Sequence, residues 1–84
     1  MKSLIHDFSE YLRIEKRYSP HTVSGYCHDL GRFSNFASDR KVDSLNTSDI
    51  REFLILLGEQ GLSGASIARC LSSIKSFFKY LRYP

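Results

Sequence analysis

Apolar residues recur at intervals of three and four along four segments of the chain. The four stripes are Leu4, Phe8, Tyr11 and Leu12; Val23, Tyr26, Leu30, Phe33 and Ala37; Ile50, Phe53, Leu54 and Leu57; and Ile67, Leu71, Ile74, Phe78 and Leu81, which Cys70 and Phe77 widen on one side. Such spacing places side chains on one face of a helix, so it predicts four amphipathic helices that share a core. No segment combines strand alternation with the chemistry of a tight turn. The sequence therefore predicts a compact all-α bundle.

Residues that favour helix ends mark the boundaries of these segments. Ser19-Pro20 is a strong start signal, because the serine oxygen can accept from a backbone N–H and proline has no N–H to leave unpaired. Gly61 can adopt the left-handed conformation that ends a helix. The predicted N-caps are Ser3, Ser19, Thr47 and Ser63. The first helix then covers about residues 4–16, and residues 38–46 form the longest break.

The composition confines the chain to one small globular domain. Of its 84 residues, 42% are hydrophobic and 13% are aromatic, enough to build a core at this length. No apolar run approaches the roughly 20 residues of a membrane span, and the first residues lack the apolar stretch of a signal peptide. We therefore expect a cytoplasmic protein with no membrane partner.

The positive charge is concentrated in the last quarter of the chain. Twelve basic residues against nine acidic residues give a net charge of +3. Residues 60–84 contain Arg69, Lys75, Lys79 and Arg82 and no acidic residue, while the rest of the chain is close to neutral. This distribution favours a polyanionic partner such as a nucleic acid.

No local motif for catalysis or metal binding accompanies the helices. The sequence has no glycine-rich phosphate loop, GxSxG or HExxH, and its acidic residues are scattered singly. Cys27 and Cys70 have no metal-ligand spacing, so we expect small buried or half-buried thiols. His21 and His28 would lie about 10 Å apart along a helix, too far to share one ion. We expect no catalytic residue, metal or cofactor in this chain.

The polar side of the fourth helix carries the clearest functional pattern. Its basic residues are interspersed with serines, whose small hydroxyls allow close approach to a groove and donate to phosphates. The starts of the second and fourth helices offer backbone N–H groups to an anion. Alternatively, the serines cap and solubilise the helix while the basic stems cover its core, as in a protein-interaction module. These residues alone leave DNA binding and protein binding both open.

Three groups of residues follow one another in a set order. The first is Ser19-Pro20-His21-Thr22-Val23 followed by Tyr26, Asp29-Leu30 and Phe33; the second is Leu45, Thr47, Asp49-Ile50 and Phe53-Leu54. The third is Gly61-Leu62-Ser63, Ser66-Ile67-Ala68-Arg69, Leu71-Ser72, Ile74-Lys75-Ser76-Phe77-Phe78 and Tyr80-Leu81. In this order and spacing they resemble the amino-terminal, SAM-like core-binding domain of tyrosine recombinases of the Xer and phage-integrase type. The resemblance covers essentially the whole chain.

The resemblance implies a bundle of four or five helices that forms one jaw of a clamp around a recombination half-site on double-stranded DNA. A separate catalytic domain beyond Pro84 would form the other jaw and attack a phosphodiester through a tyrosine, giving a phosphotyrosyl intermediate without metal or nucleotide cofactor. Four protomers would exchange strands in a synaptic tetramer. Residues 1–84 are then expected to be one DNA-binding domain of a longer enzyme, non-catalytic and monomeric in isolation.

Carried over by position, the resemblance also implies a set of DNA contacts. Thr22 and Ser66 would donate to phosphates, and Arg69 would reach a base edge. Lys75 would contact the DNA backbone, whereas Tyr26 flanks the apolar stripe and is as well suited to packing. The full set is His21, Thr22, Tyr26, Ser63, Ser66, Arg69, Ser73 and Lys75.

Two other classes of protein share part of this outline. A helix-turn-helix regulator would use the third helix, Gly61-Leu62 and the fourth helix, and should dimerise on palindromic DNA. A helical interaction module of the sterile-alpha-motif type would bind a protein and show no salt-dependent affinity for DNA. Both remain alternatives to the recombinase domain.

Overall fold

The computed structural model of the protein describes residues 1–82. Within that part of the chain there are four α-helices, one short 3-10 turn and no strand. The helices are α1 (Lys2–Ile14), α2 (Pro20–Ala37), α3 (Thr47–Glu59) and α4 (Gly64–Arg82), with the 3-10 turn at Val42–Ser44. The predicted all-α bundle is confirmed, while the expected domain end at Pro84 lies outside the described residues.

Each helix contributes one fully buried phenylalanine to the core. Phe8 of α1 meets Phe77 of α4 edge to face, with ring centroids 5.5 Å apart. Phe33 of α2 meets Phe53 of α3 in the same way at 5.3 Å. Edge-to-face contacts bring the positive ring edge against the negative face, in addition to the apolar area they bury. Among the described helices, none has the length and apolar character required to cross a bilayer.

Three of the predicted helix boundaries are confirmed. The Ser19 hydroxyl accepts from the Thr22 backbone N–H at 3.2 Å, and Pro20 is the first residue of α2. Gly61 has φ of +89°, the left-handed conformation that reverses the chain after α3. Ser63 caps α4 by accepting from the Ser66 backbone N–H at 3.2 Å.

Two predicted N-caps are wrong. Ser3 lies inside α1, which begins one residue before it at Lys2. Thr47 is the first residue of α3, and Asn46 is its cap. The Asn46 side chain accepts from the Asp49 N–H at 3.1 Å, and the Asp49 carboxylate accepts from the Asn46 N–H at 2.9 Å. This reciprocal pair satisfies two backbone donors, and a threonine one position later cannot form it.

The buried face of α4 is shifted toward the side of the predicted stripe that Cys70 and Phe77 widen. Leu71 is only half-buried, whereas Cys70, Ser73, Ile74 and Phe77 are buried. Ser73 was expected among the DNA contacts on the polar side of this helix, and its burial shows that its place on that side was predicted wrongly. On the buried face of α4, Cys70 and Ser73 both donate to a carboxylate on α2.

Candidate nucleic-acid interface

A surface cleft lies between the start of α2 and the middle of α4. Its lining residues are His21, Thr22, Gly25, Tyr26, Asp29, Arg69, Ser72 and Ser73. Five of the eight residues expected to contact DNA are among them, and they come from segments more than 40 positions apart in sequence. We call this feature the α2–α4 cleft.

Asp29 is buried at the base of the α2–α4 cleft, with no solvent-exposed surface. Its carboxylate accepts from Arg69 Nε at 3.0 Å and from Arg69 Nη2 at 2.9 Å. It also accepts from the Ser73 hydroxyl at 2.9 Å and from the Cys70 thiol at 3.3 Å. A buried carboxylate is tolerated only when its oxygens are paired, and here α4 supplies every donor just named.

Two opposing effects set the pKa of Asp29. Burial raises the pKa, because it disfavours the charged form. Hydrogen bonds from Arg69, Ser73 and Cys70, together with the positive charge of Arg69, lower it by more, so the pKa lies below its usual value. The carboxylate is therefore ionised at neutral pH, and Arg69 provides its counter-charge.

The Arg69 guanidinium is held on one edge and open on the other. A guanidinium carries five N–H donors, and Nε with one hydrogen of Nη2 is directed at Asp29. The side chain is nevertheless 58% exposed, so three N–H donors are available to another ligand. The hydrogen bonds and charge of Asp29 also raise the pKa of Arg69, so the group is always cationic.

Other predicted contact residues lie outside the α2–α4 cleft. Ser63 and Ser66 are at the start of α4, where the Ser63 hydroxyl donates to the Ser66 hydroxyl at 3.1 Å. Lys75 is exposed, but it lines a different depression, between α4 and the start of α3. Lys79 and Arg82 line that second depression with it. The structure thus brings residues of the first motif and the centre of α4 together in the α2–α4 cleft, and places Lys75 with Lys79 and Arg82 in the second depression. We call these three exposed basic residues the outer face of α4.

Tyr26 packs against neighbouring aromatic rings and also lines the α2–α4 cleft. It is half-buried and meets Phe8 edge to face, with centroids 6.1 Å apart. On its other side it stacks on Tyr18 at 6.0 Å, and it also lines the α2–α4 cleft. Packing therefore fixes the position of its ring at the edge of the cleft.

Sequence reasoning did not predict Gly25, Ser72 or Asp29 as site residues, and of these three only Asp29 is charged. It lies three positions after Tyr26 and four before Phe33, on the apolar stripe of α2. A charged residue at such a position must be paired when the helix packs. That spacing was the available signal, although it does not identify the partner.

The thiol of Cys70 belongs to the same cluster. Burial, followed by its hydrogen bond to Asp29, raises the pKa of Cys70 to about 11. The thiol therefore stays protonated at neutral pH and acts as a hydrogen-bond donor. Cys27 is half-buried, and among the described residues no three His, Cys, Asp or Glu side chains are grouped as metal ligands.

The all-α bundle and its basic last helix define a small helical domain with a polar cleft between α2 and α4. Residues 5–83 match the family described as "Phage integrase, N-terminal SAM-like domain". Since this match spans nearly the whole sequence, the chain belongs to that family. The resemblance stated from the sequence motifs is confirmed.

Named relatives agree with this assignment. The chain is 44% identical over 77 residues to tyrosine recombinase XerC of Anoxybacillus flavithermus, covering 88% of this chain and 26% of the relative. It is 40% identical over 81 residues to tyrosine recombinase XerD of Oceanobacillus iheyensis, covering 92% of this chain and 27% of the relative. The chain thus spans about a quarter of the length of the curated relatives that it matches. No solved structure gives a significant match.

Proposed function

We propose that this chain is the DNA-binding amino-terminal domain of a site-specific tyrosine recombinase, and that double-stranded DNA lies across the α2–α4 cleft and the outer face of α4. The observation that carries the proposal is the gathering of His21, Thr22 and Arg69 in one exposed cleft. These residues come from separate motifs that the tyrosine recombinases share with this chain.

The chemistry of the surface supports a phosphate-rich ligand. Thr22 and Ser72 are small and exposed, so a DNA backbone could approach the cleft closely and accept from their hydroxyls. The exposed side chains of Arg69, Lys75 and Lys79 add positive charge along α4. The negative charge of Asp29 is buried beneath Arg69 and therefore does not face the ligand. In this arrangement the buried Ser73 donates to Asp29 and does not contact DNA. The exposed hydroxyl and basic groups just named make the DNA contacts.

The wider role follows from the family. In this proposal residues 1–84 form one jaw of a clamp on a recombination half-site. A catalytic domain elsewhere in the parent enzyme would break and rejoin the strands through a phosphotyrosyl intermediate. Four such protomers would assemble on two DNA sites in the cytoplasm, whereas the 84-residue chain alone would be a monomer.

An amide chemical-shift titration of the 84-residue chain with a mixed-sequence duplex tests the proposal. We expect shifts concentrated at residues 19–26 and 63–76 that fade as salt increases. If four phosphates are neutralised, the logarithm of the binding constant should fall with the logarithm of salt at a slope of about −3.6. An unchanged spectrum at low salt would refute DNA binding and favour a protein-interaction module.

A pair of lysine variants provides the matched control. Lys75→Ala removes a charge from the outer face of α4 and should reduce the salt slope by about 0.9. Lys2→Ala removes the same charge beside the end of α2, near Asn35 and Ser38 and away from the cleft. It should leave the slope close to that of the unmodified chain. Equal effects of the two variants would contradict the proposed orientation on DNA.

A further inference from the structure

We propose that Asp29 is a positioning residue, which fixes the Arg69 guanidinium so that its outer N–H donors are already directed at the DNA before binding. This inference rests on the proposed function, because it takes DNA as the ligand of the α2–α4 cleft. It assigns a role in recognition to a buried residue that cannot touch the ligand itself.

The geometry holds the Arg69 guanidinium along one edge of its plane and leaves the other edge open. The two bonds from Nε and Nη2 to the Asp29 oxygens, at 3.0 and 2.9 Å, fix the plane as well as the position of the guanidinium. Asp29 is itself held by two further donors on α4. These are the thiol of Cys70, which directly follows Arg69, and the hydroxyl of Ser73, one turn after Arg69. The carboxylate therefore cannot follow Arg69 outward.

The entropic cost of ordering the Arg69 side chain sets the expected size of the change in Kd. Ordering a long, flexible side chain on binding has an entropic cost that weakens binding. At a tenfold change in Kd per 1.4 kcal/mol, this cost raises the Kd by about 2- to 12-fold. An Arg69 that Asp29 has already ordered loses less freedom on binding. Asp29→Asn should therefore weaken DNA binding by a factor in this range.

Simple electrostatics predicts a change of opposite sign. Replacing any carboxylate by an amide makes the chain more positive and should tighten its binding to a polyanion. A residue that only stabilises the fold would show this tightening in the folded variant. Weaker DNA binding by a folded Asp29→Asn variant would thus indicate that Asp29 positions Arg69, because loss of its charge alone should tighten binding.

Asp49 offers a matched control within the same chain. Its carboxylate also accepts two bonds from an arginine, Arg40, at 2.8 and 3.0 Å, but neither residue lines the α2–α4 cleft. Asp49→Asn removes the same charge and releases an arginine elsewhere. Its Kd for DNA should be equal to or lower than that of the unmodified chain.

The experiment measures the Kd for a fluorescent duplex of about 20 base pairs at low salt. It compares the unmodified 84-residue chain, Asp29→Asn, Asp49→Asn, Arg69→Ala and the double variant of Asp29 and Arg69, each checked for helicity. We expect Asp29→Asn to bind more weakly than Asp49→Asn, and to cause no further weakening when Arg69 is already alanine. Binding by Asp29→Asn as tight as by Asp49→Asn would overturn the positioning role. If the unmodified chain itself does not bind, the proposed function fails and the inference fails with it.

A second measurement covers the case in which Asp29→Asn does not fold. The Arg69 Nε–H signal of the unmodified chain should exchange slowly with water, compared with that of exposed Arg82, and stay protected when DNA is added. Loss of that protection in the complex would mean that Arg69 leaves Asp29 in order to bind. That result would overturn the inference without affecting the proposed function.

Discussion

Ser73 and its neighbour Ser72 permit a sharp test of the Asp29 cluster. Ser73 is 2% exposed, and its hydroxyl donates to the buried carboxylate at 2.9 Å, whereas Ser72 is exposed. A hydrogen bond to a charged group contributes about 1.5–3 kcal/mol, so Ser73→Ala should lower the free energy of unfolding by that amount. Ser72→Ala makes the same chemical change at the surface and should stay within about 0.5 kcal/mol of the unmodified chain.

The magnitude is large for a domain of this size. At roughly 0.05–0.15 kcal/mol per residue, 84 residues have a free energy of unfolding of about 4–13 kcal/mol. A loss of about 1.5–3 kcal/mol should lower the Tm by about 6–24 °C, since one kcal/mol corresponds to about 4–8 °C in small domains. Urea unfolding followed by circular dichroism at pH 7 measures the free energy directly.

The pH dependence of the same variant separates the hydrogen bond from simple packing. With one donor fewer, the pKa of Asp29 should rise from its lowered value, and the difference between Ser73→Ala and the unmodified chain should shrink as the carboxylate is protonated. A packing defect would instead be insensitive to pH. Equal stabilities of Ser73→Ala and Ser72→Ala at pH 7 would refute the role assigned to the buried hydroxyl.

Three further predictions concern acid stability, the α3 cap and thiol reactivity. The pKa of Asp29 is lower in the folded chain than its unfolded value of about 3.9. The ionised carboxylate therefore stabilises the fold above about pH 4, and this contribution is lost as the pH falls further. Asp29→Asn should flatten the fall in the free energy of unfolding below about pH 4, measured with urea at each pH. Asn46→Ala should lower the free energy of unfolding by about 0.5–2 kcal/mol in thermal melts, while Thr47→Ala should have a much smaller effect. Ellman's reagent should label Cys27 in the folded chain, and Cys70 only in urea, since Cys70 is buried and its pKa is raised to about 11.

Each of these predictions has an outcome that would contradict it. An acid profile of Asp29→Asn as steep as that of the unmodified chain would mean that another group controls acid unfolding. A larger loss from Thr47→Ala than from Asn46→Ala would contradict the observed capping box. Two thiols labelled at equal rates without urea would contradict the burial of Cys70.

Local patterns predicted the helices because helix formation and capping depend on residues close together in sequence. The spacing of apolar residues located all four helices, and Ser19-Pro20 and Gly61 located two of their ends. The error at Thr47 arose because two adjacent polar residues can both cap a helix. Only the reciprocal bond with Asp49 distinguishes Asn46 from its neighbour.

The sequence predicted five of the eight residues that line the α2–α4 cleft, but not how they contact one another. Helical spacing placed Arg69 on a polar face, and it is exposed as expected. Its bond to Asp29 joins residues 40 positions apart, so it depends on how α2 crosses α4. Ser73 is likewise buried against α2, although it was expected among the DNA contacts of the polar side of α4.

The hydrogen-bond donors to Asp29 lie on α4, and this affects how the chain folds during synthesis. The four hydrogen bonds that this carboxylate accepts within the described chain all come from α4, which also carries the buried Phe77. Ribosomes add about 5–20 residues per second, so α2 emerges seconds before α4. During that interval water must solvate Asp29, and the core face of α2 cannot be closed. A nascent chain stalled before residue 64 should therefore be sensitive to protease, and the domain should become resistant only after α4 has emerged.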